Sequence, residues 1–351
     1  MRWAGWWWTG VFCSVSVACG GGSPGGGSDG GGTAITVPDG GPSDGGPTAD
    51  CSGLLPAAPG PAVTFDVPAN PGEICTTAIG DGEGVIAADA QPPSASLKRW
   101  FEFSPSYGSH SGSFQAPPQL FAQPAGYIGL YGVATYWDRY ADGALAPGNA
   151  AALGRAYASG VVAFSTSSAG LTARKLDVQD KLLVEVASAT VTAAGAPIGG
   201  AEDASGAVLA LTASGSSVSG LWIDLAKATA GPTFAIGTGA AVSARPLLGG
   251  GVAVQLDGRW TATVKPGETT PLAGPSWAGD AADFVPVRGG KAYALMPPAG
   301  SAIQIVTPQG NSCGSVTFRG VTSVFVGLDG SVVGSTGASG CTKVVWRNVL
   351  R

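Results

Sequence analysis

One short pattern recurs along the chain: a glycine, an apolar strand, a polar turn and a second strand. It opens at Gly84 (GVIAAD), Gly126 (GYIGLY), Gly160 (GVVAFS), Gly206 (GAVLAL), Gly251 (GVAVQL), Gly290 (GKAYAL) and Gly330 (GSVVGS), in steps of 34 to 46 residues. A single hairpin of this size cannot bury its own apolar faces, so it must stack on its neighbours. A period near 40 residues built of short strands marks a propeller blade. The expected fold is all-β, a seven-bladed β-propeller over residues 62–351. Six or eight blades are the alternatives, because the step from Gly126 to Gly160 is short for a full blade.

Tryptophan punctuates the second strand of the pattern. Trp100, Trp222 and Trp346 each follow their glycine by 16 residues, and Trp137 and Trp260 occupy the same strand in two other units. Stacked sheets need large fillers, so these rings are expected between blades. A ligand-stacking platform is the lesser reading.

Closure is also written in the chain. The Gly290 unit supplies four strands: ADFVPV, KAYALM, AIQIVT and GSVTFR. The last unit supplies three, SVFVGL, SVVGS and TKVVW, and lacks a fourth. Upstream, Ala62–Val67 stands without a unit of its own, and its Val63-Thr64-Phe65 repeats Val316-Thr317-Phe318. The N-terminal strand is therefore expected to complete the last blade. That removes the exposed edges an open array would leave.

Residues 1–18 carry Arg2 and then an apolar run shorter than the roughly 20 residues of a spanning helix, and read as an export signal. SVAC follows, with Ala18 before Cys19 and Ser16 where leucine is usual. This resembles the lipobox of bacterial lipoproteins, which implies acylation of Cys19 as the mature N-terminus. Residues 20–50 hold 13 Gly and almost no apolar side chains. Such a stretch cannot offset its ordering entropy and should act as a tether over 19–61, reaching about 30 Å. A Gly-rich tether after an acylated cysteine is similar to the surface lipoproteins of Gram-negative, myxobacteria-like organisms. No Asp follows Cys19, which in that family implies the outer membrane, on its periplasmic or cell-surface face.

Four further cysteines, Cys51, Cys75, Cys313 and Cys341, suggest two disulfides with three possible pairings. Proximity in sequence favours Cys51–Cys75 and Cys313–Cys341, each worth roughly 3 kcal/mol in the entropy model. No CxxC spacing exists and His110 is the only histidine, so neither a metal nor another cofactor is expected.

The longest irregular insertion spans Ser104–Gln123. It holds Tyr107, His110 and Phe114 and forms the candidate binding loop. Asp142-Gly143, Asp257-Gly258 and Asp329-Gly330 read as tight turns whose carboxylates cap backbone. GxSxG occurs three times, but only inside the tether, where no nucleophile elbow can form. No catalytic set is assigned.

A net charge of −5 and 12% charged residues argue against nucleic acid, which needs a basic face. The expectation is a monomeric, membrane-tethered binding or scaffold protein. It would present a protein or glycan partner with the loop face or central channel. The alternatives are a propeller hydrolase, lyase or quinone-dependent dehydrogenase, and an outer-membrane assembly factor that resembles the propeller lipoprotein of the barrel-assembly machinery in architecture only.

Overall fold

The strand after the opening glycine is mostly apolar and buried on both faces in several units, as in Ile86–Ala90, Val252–Leu256 and Ala292–Met296. The computed structural model describes residues 51–351 apart from 57–61, 77, 83–85, 93–98, 104–108, 116–118, 125 and 139–143. The segment expected to be an export signal, Cys19, Gly84, Tyr107, Asp142-Gly143 and most of the expected tether lie outside the described residues. Among the described residues the one helical segment is the 3-10 turn Arg288–Gly290. None is long and apolar enough to cross a membrane.

The chain forms an all-β propeller, and its sheets are named here by their opening glycines. The Gly84 sheet contains Ala78–Gly80, Ile86–Ala90, Arg99–Phe103 and Ser109–Gln115, in that order. The Gly126 sheet contains Gln119–Gln123, Gly126–Tyr131, Ala134–Asp138 and Ala144–Asn149. A nine-stranded sheet follows. One half is Ala152–Arg155, Val161–Ser167, Gly170–Gln179 and Leu182–Val191. The other half is Ala196–Glu202, Val208–Ser214 and Ser217–Asp224, with Thr229–Ala230 and Phe234–Thr238 both paired to the last of these. The strand pairing between the halves is one parallel pair, Arg155 opposite Ala201. The Gly251 sheet contains Val242–Pro246, Val252–Leu256, Arg259–Val264 and Leu272–Ala273. The Gly290 sheet contains Asp283–Val287, Ala292–Met296, Ala302–Val306 and Ser312–Thr317. The Gly330 sheet contains Ser323–Val326, Val332–Thr336, Thr342–Trp346 and, as its fourth strand, Val63–Asp66.

That last pairing closes the molecule as the sequence leads one to expect. Val63 lies opposite Val345 and Asp66 opposite Thr342. The repeated Phe65 and Phe318 have matching roles. Each reaches an aromatic ring of the next sheet, Phe103 at 4.2 Å and Trp346 at 4.8 Å.

The period of two along a strand explains the unbroken apolar runs. Val252 and Val254 pack towards Leu209 and Leu211 of the preceding half-sheet, while Ala253 between them packs towards Tyr293 of the next. Buried apolar side chains among the described residues fall into seven clusters. Each bridges two consecutive sheets or half-sheets, and one, with Phe65, Val345, Ile86 and Phe103, joins the last to the first. Trp137, Trp222, Trp260 and Trp346 all lie in these clusters, which bears out their role as packing between sheets.

Six of the seven opening glycines are described, and all six have positive φ: Gly126, Gly160, Gly206, Gly251, Gly290 and Gly330. At Gly160 a Cβ would stand 2.1 Å from the carbonyl oxygen of Leu176. Backbone conformation and close approach both demand glycine there. Asp257 and Asp329 cap turns as expected: Asp257 accepts from the backbone N–H of Ala240 and Ala241, and Asp329 from that of Ser331.

The cysteine pairing differs from the one favoured by sequence proximity. Cys51 is bonded to Cys313 and Cys75 to Cys341, across 262 and 266 positions. Closure sets the chain's two ends side by side, so partners distant in sequence become neighbours in space. Cys51 also draws in a segment that the sequence assigns to the tether: Leu54 is buried in the cluster between the Gly290 and Gly330 sheets.

Candidate functional site

The Ser104–Gln123 insertion is not one irregular loop. It contributes Ser109–Gln115, the outermost strand of the Gly84 sheet, and Gln119–Gln123, the first strand of the next. His110 lies opposite Glu102 and Phe114 opposite Trp100. The strand SHSGSFQ is rich in Ser, with one Gly and a single large apolar residue, so the sequence carries little strand signal there. Cys51, Cys75, Cys313 and Cys341 are all consumed in disulfides. Of the binding-loop residues, His110 and Phe114 sit on one outer strand.

The first strands of the sheets converge instead on a central channel. A cavity of about 270 Å³ is lined by Ile79, Leu120, Arg155, Arg245, Asp283 and Phe325, each from or beside a different first strand. A second cavity of about 260 Å³ continues past Phe121 and Arg155 to Gly199 and Ser243. A third, of about 180 Å³, opens between Arg155, Tyr157 and Arg245. Arg155 lines all three.

Three charges meet at this axis. Arg245 donates from Nε to Asp283 Oδ1 at 2.6 Å and from Nη2 to Oδ2, a two-point clamp. Arg155 Nη2 stands 3.7 Å from Asp283 Oδ2, an ion pair without a hydrogen bond. Its guanidinium carbon lies 4.8 Å from the centroid of the Phe121 ring. Side-chain exposures of 29% for Arg155, 32% for Asp283 and 10% for Arg245 put the first two at the channel wall, enclosed by protein on most sides.

Burial favours the neutral form of Asp283, but the Arg245 and Arg155 charges and the hydrogen bonds outweigh it and hold the carboxyl below its usual range. Burial, reinforced by the neighbouring Arg245 charge, lowers Arg155 to about 9, so it keeps its proton at neutral pH. The site therefore presents two cations and one anion. A clamped carboxylate and two guanidiniums are poor proton donors and acceptors near pH 7, and well suited to holding charge.

A larger cavity, about 620 Å³, lies elsewhere among the described residues, on the outer part of the Gly290 sheet beside Trp277, Met296 and Gln304. Trp277 is not a free platform there. It stacks on Tyr293 at 4.7 Å, and a Cβ on Gly310 would come within 2.4 Å of its ring. The one acidic residue in its lining, Asp280, pairs with Arg259 in solvent. Converging charge, more than volume, marks the axis as the candidate site.

Neither a protein-family model nor a curated protein matches the chain. Solved propellers are similar in shape at low identity. A streptogramin B lyase is 10% identical with a TM-score of 0.48, covering 81% of this chain and 96% of its own. The WD40 domain of Neurospora crassa Pan2 is 12% identical with a TM-score of 0.46, covering 82% of this chain and 94% of its own. BamB from Moraxella catarrhalis is 14% identical with a TM-score of 0.39, covering 77% of this chain and 83% of its own.

Proposed function

We propose that this chain is an exported, membrane-tethered binding or scaffold lipoprotein that holds a protein or glycan partner through its propeller. In this reading each half of the nine-stranded sheet counts as one blade, giving seven. The seven inter-sheet clusters and the single-pair junction between the halves support that count. The observation that carries the reading is the pair of disulfides joining the two chain ends. Such bonds persist in oxidising compartments, which fits export. They turn the propeller into a locked ring suited to presenting a fixed surface. Cys19 would carry the lipid and the Gly-rich segment would give the ring its reach. The test is membrane partition and partner capture from intact cells, comparing the natural chain with Cys19→Ala. Release of the variant to the soluble fraction, with capture kept only when tethered, supports the reading. Equal partition of both forms sinks it.

The axial charges favour one second reading, an enzyme of the hydrolase, lyase or dehydrogenase type acting in the channel. Asp283 and two arginines are the convergent groups such a reading needs, and His110 lies on the outermost strand, away from them. Turnover of a captured ligand, lost in Asp283→Asn and kept in His110→Ala, would favour it over simple binding.

A further inference from the structure

The axial cluster has more positive charge than its own carboxylate can match. Arg245 spends its fork on both oxygens of Asp283. Arg155 is left 3.7 Å away, and among the described residues it donates no hydrogen bond. A guanidinium has five N–H donors, and this one, 29% exposed, keeps donors open to the channel. The Phe121 ring lies against this one, its centroid 4.8 Å from the guanidinium carbon. The Arg155 side chain borders all three axial cavities, whose other walls include Leu120, Leu153, Val285 and Leu328. A guanidinium beside apolar walls such as Leu120 and Leu328 suits a ligand that is anionic at one end and apolar in its body.

We infer that the channel is a receptor for a small oxyanion, a carboxylate or phosphate carried on an apolar body, seated two-point on Arg155. The planar oxygen pair of a carboxylate matches the guanidinium edge, as does the edge of a phosphate. Asp283 serves as a partial counter-charge. It keeps Arg155 and Arg245 together and leaves one net positive charge for the ligand. Cations and neutral sugars are disfavoured at this point, because neither answers that charge. The inference goes beyond the protein or glycan partner proposed above, adds a small ligand, and rests on the channel being a binding site.

The test uses the purified protein at pH 7, with benzoate, phosphate and chloride compared at equal ionic strength. Benzoate is expected to raise the melting temperature saturably over chloride, and to give a saturable heat on titration. Phosphate binding without benzoate binding would place the oxyanion on a phosphate ester, and the reverse on a carboxylate. Both support the site. R155M should weaken the bound anion on the order of tenfold, with partial recovery in R155K. Arg259→Met, which alters an arginine in solvent, should bind like the natural protein. The inference is overturned if neither oxyanion exceeds chloride in both measurements, or if R155M responds to the anion as the natural protein does. Should R155M fail to fold, the chloride comparison on the natural protein decides alone. Failure here leaves the tether reading standing, since membrane partition and partner capture of Cys19→Ala test that separately.

Discussion

Cys75 is bonded to Cys341 although 266 positions separate them, and Val67 next to this bridge donates its N–H to the Cys341 carbonyl. Together with Cys51–Cys313 the bond fastens the fourth strand of the Gly330 sheet at the seam of the ring. A loop of this length is worth about 5 kcal/mol in the chain-entropy account, at the top of what disulfides deliver. Cys75→Ser with Cys341→Ser is therefore expected to cost about 3–5 kcal/mol in denaturant unfolding. Its early sign should be loss of hydrogen-exchange protection at Val63–Asp66, ahead of the central strands. Uniform loss of protection across all sheets would contradict the seam account.

Asp283 sets a second expectation. Asn at this position leaves Arg155 and Arg245 face to face without a counter-charge. Removing one partner of a buried pair costs about 3–5 kcal/mol, and channel exposure reduces this to roughly 2–3. The natural carboxyl titrates below its usual range in the folded state. Its stabilisation is thus complete above the unfolded carboxyl pKa of about 4 and disappears as pH falls through the lower folded value. Urea unfolding of natural protein and Asp283→Asn should differ most above pH 5 and converge in acid. A gap independent of pH would mean that the carboxylate does not carry the effect.

The repeat and its closure were legible because they rest on local rules. The opening glycines are forced by positive φ at positions such as Gly160 and Gly251, and Val63-Thr64-Phe65 copies a strand whose place was already known. The cysteine pairing misled, because proximity along the chain loses meaning once a ring brings its ends together. The Arg155–Arg245–Asp283 cluster was invisible for a similar reason. Its members sit on three strands, ALGR, VSARP and DFVPV, that share no motif and meet only at the axis. One signal was available. Each is a charged residue within seven positions before an opening glycine, in the strand that faces the channel. The Ser104–Gln123 segment reads as irregular because Ser109–Gln115 is rich in Ser and holds one large apolar residue, Phe114.

Lys343 is fully buried in the Gly330 sheet, and its Nζ donates to Ser335 Oγ at 2.8 Å. Burial lowers it to about 8, against some help from the Asp89 charge. The unfolded chain holds this proton more firmly, with an ordinary lysine value near 10.4. Folding at neutral pH therefore carries the cost of a buried charge, about 3 kcal/mol, which is relieved as pH rises from about 8 to 10.5. The natural protein should gain stability across that window relative to Lys343→Met, measured by chemical denaturation at matched pH. Parallel curves for the two proteins would show that Lys343 is solvated as an ordinary lysine.

Two glycines with positive φ separate conformational cost from steric cost. Gly160 has φ +80 and no room, since a Cβ would stand 2.1 Å from the Leu176 carbonyl oxygen. Gly215 has φ +62 in a hairpin turn, with nothing within 4 Å of the same atom. Gly215→Ala should cost only the left-handed backbone penalty, about 1–2 kcal/mol. Gly160→Ala adds a collision with backbone that cannot swing away, because Leu176 is paired to Val161 across the sheet and packs in the cluster facing the Gly126 sheet. The expected loss is more than about 3 kcal/mol. Thermal unfolding of the two variants side by side checks this. Equal losses would mean that the tight approach at Gly160 relaxes freely, and that the opening glycines are kept for φ alone.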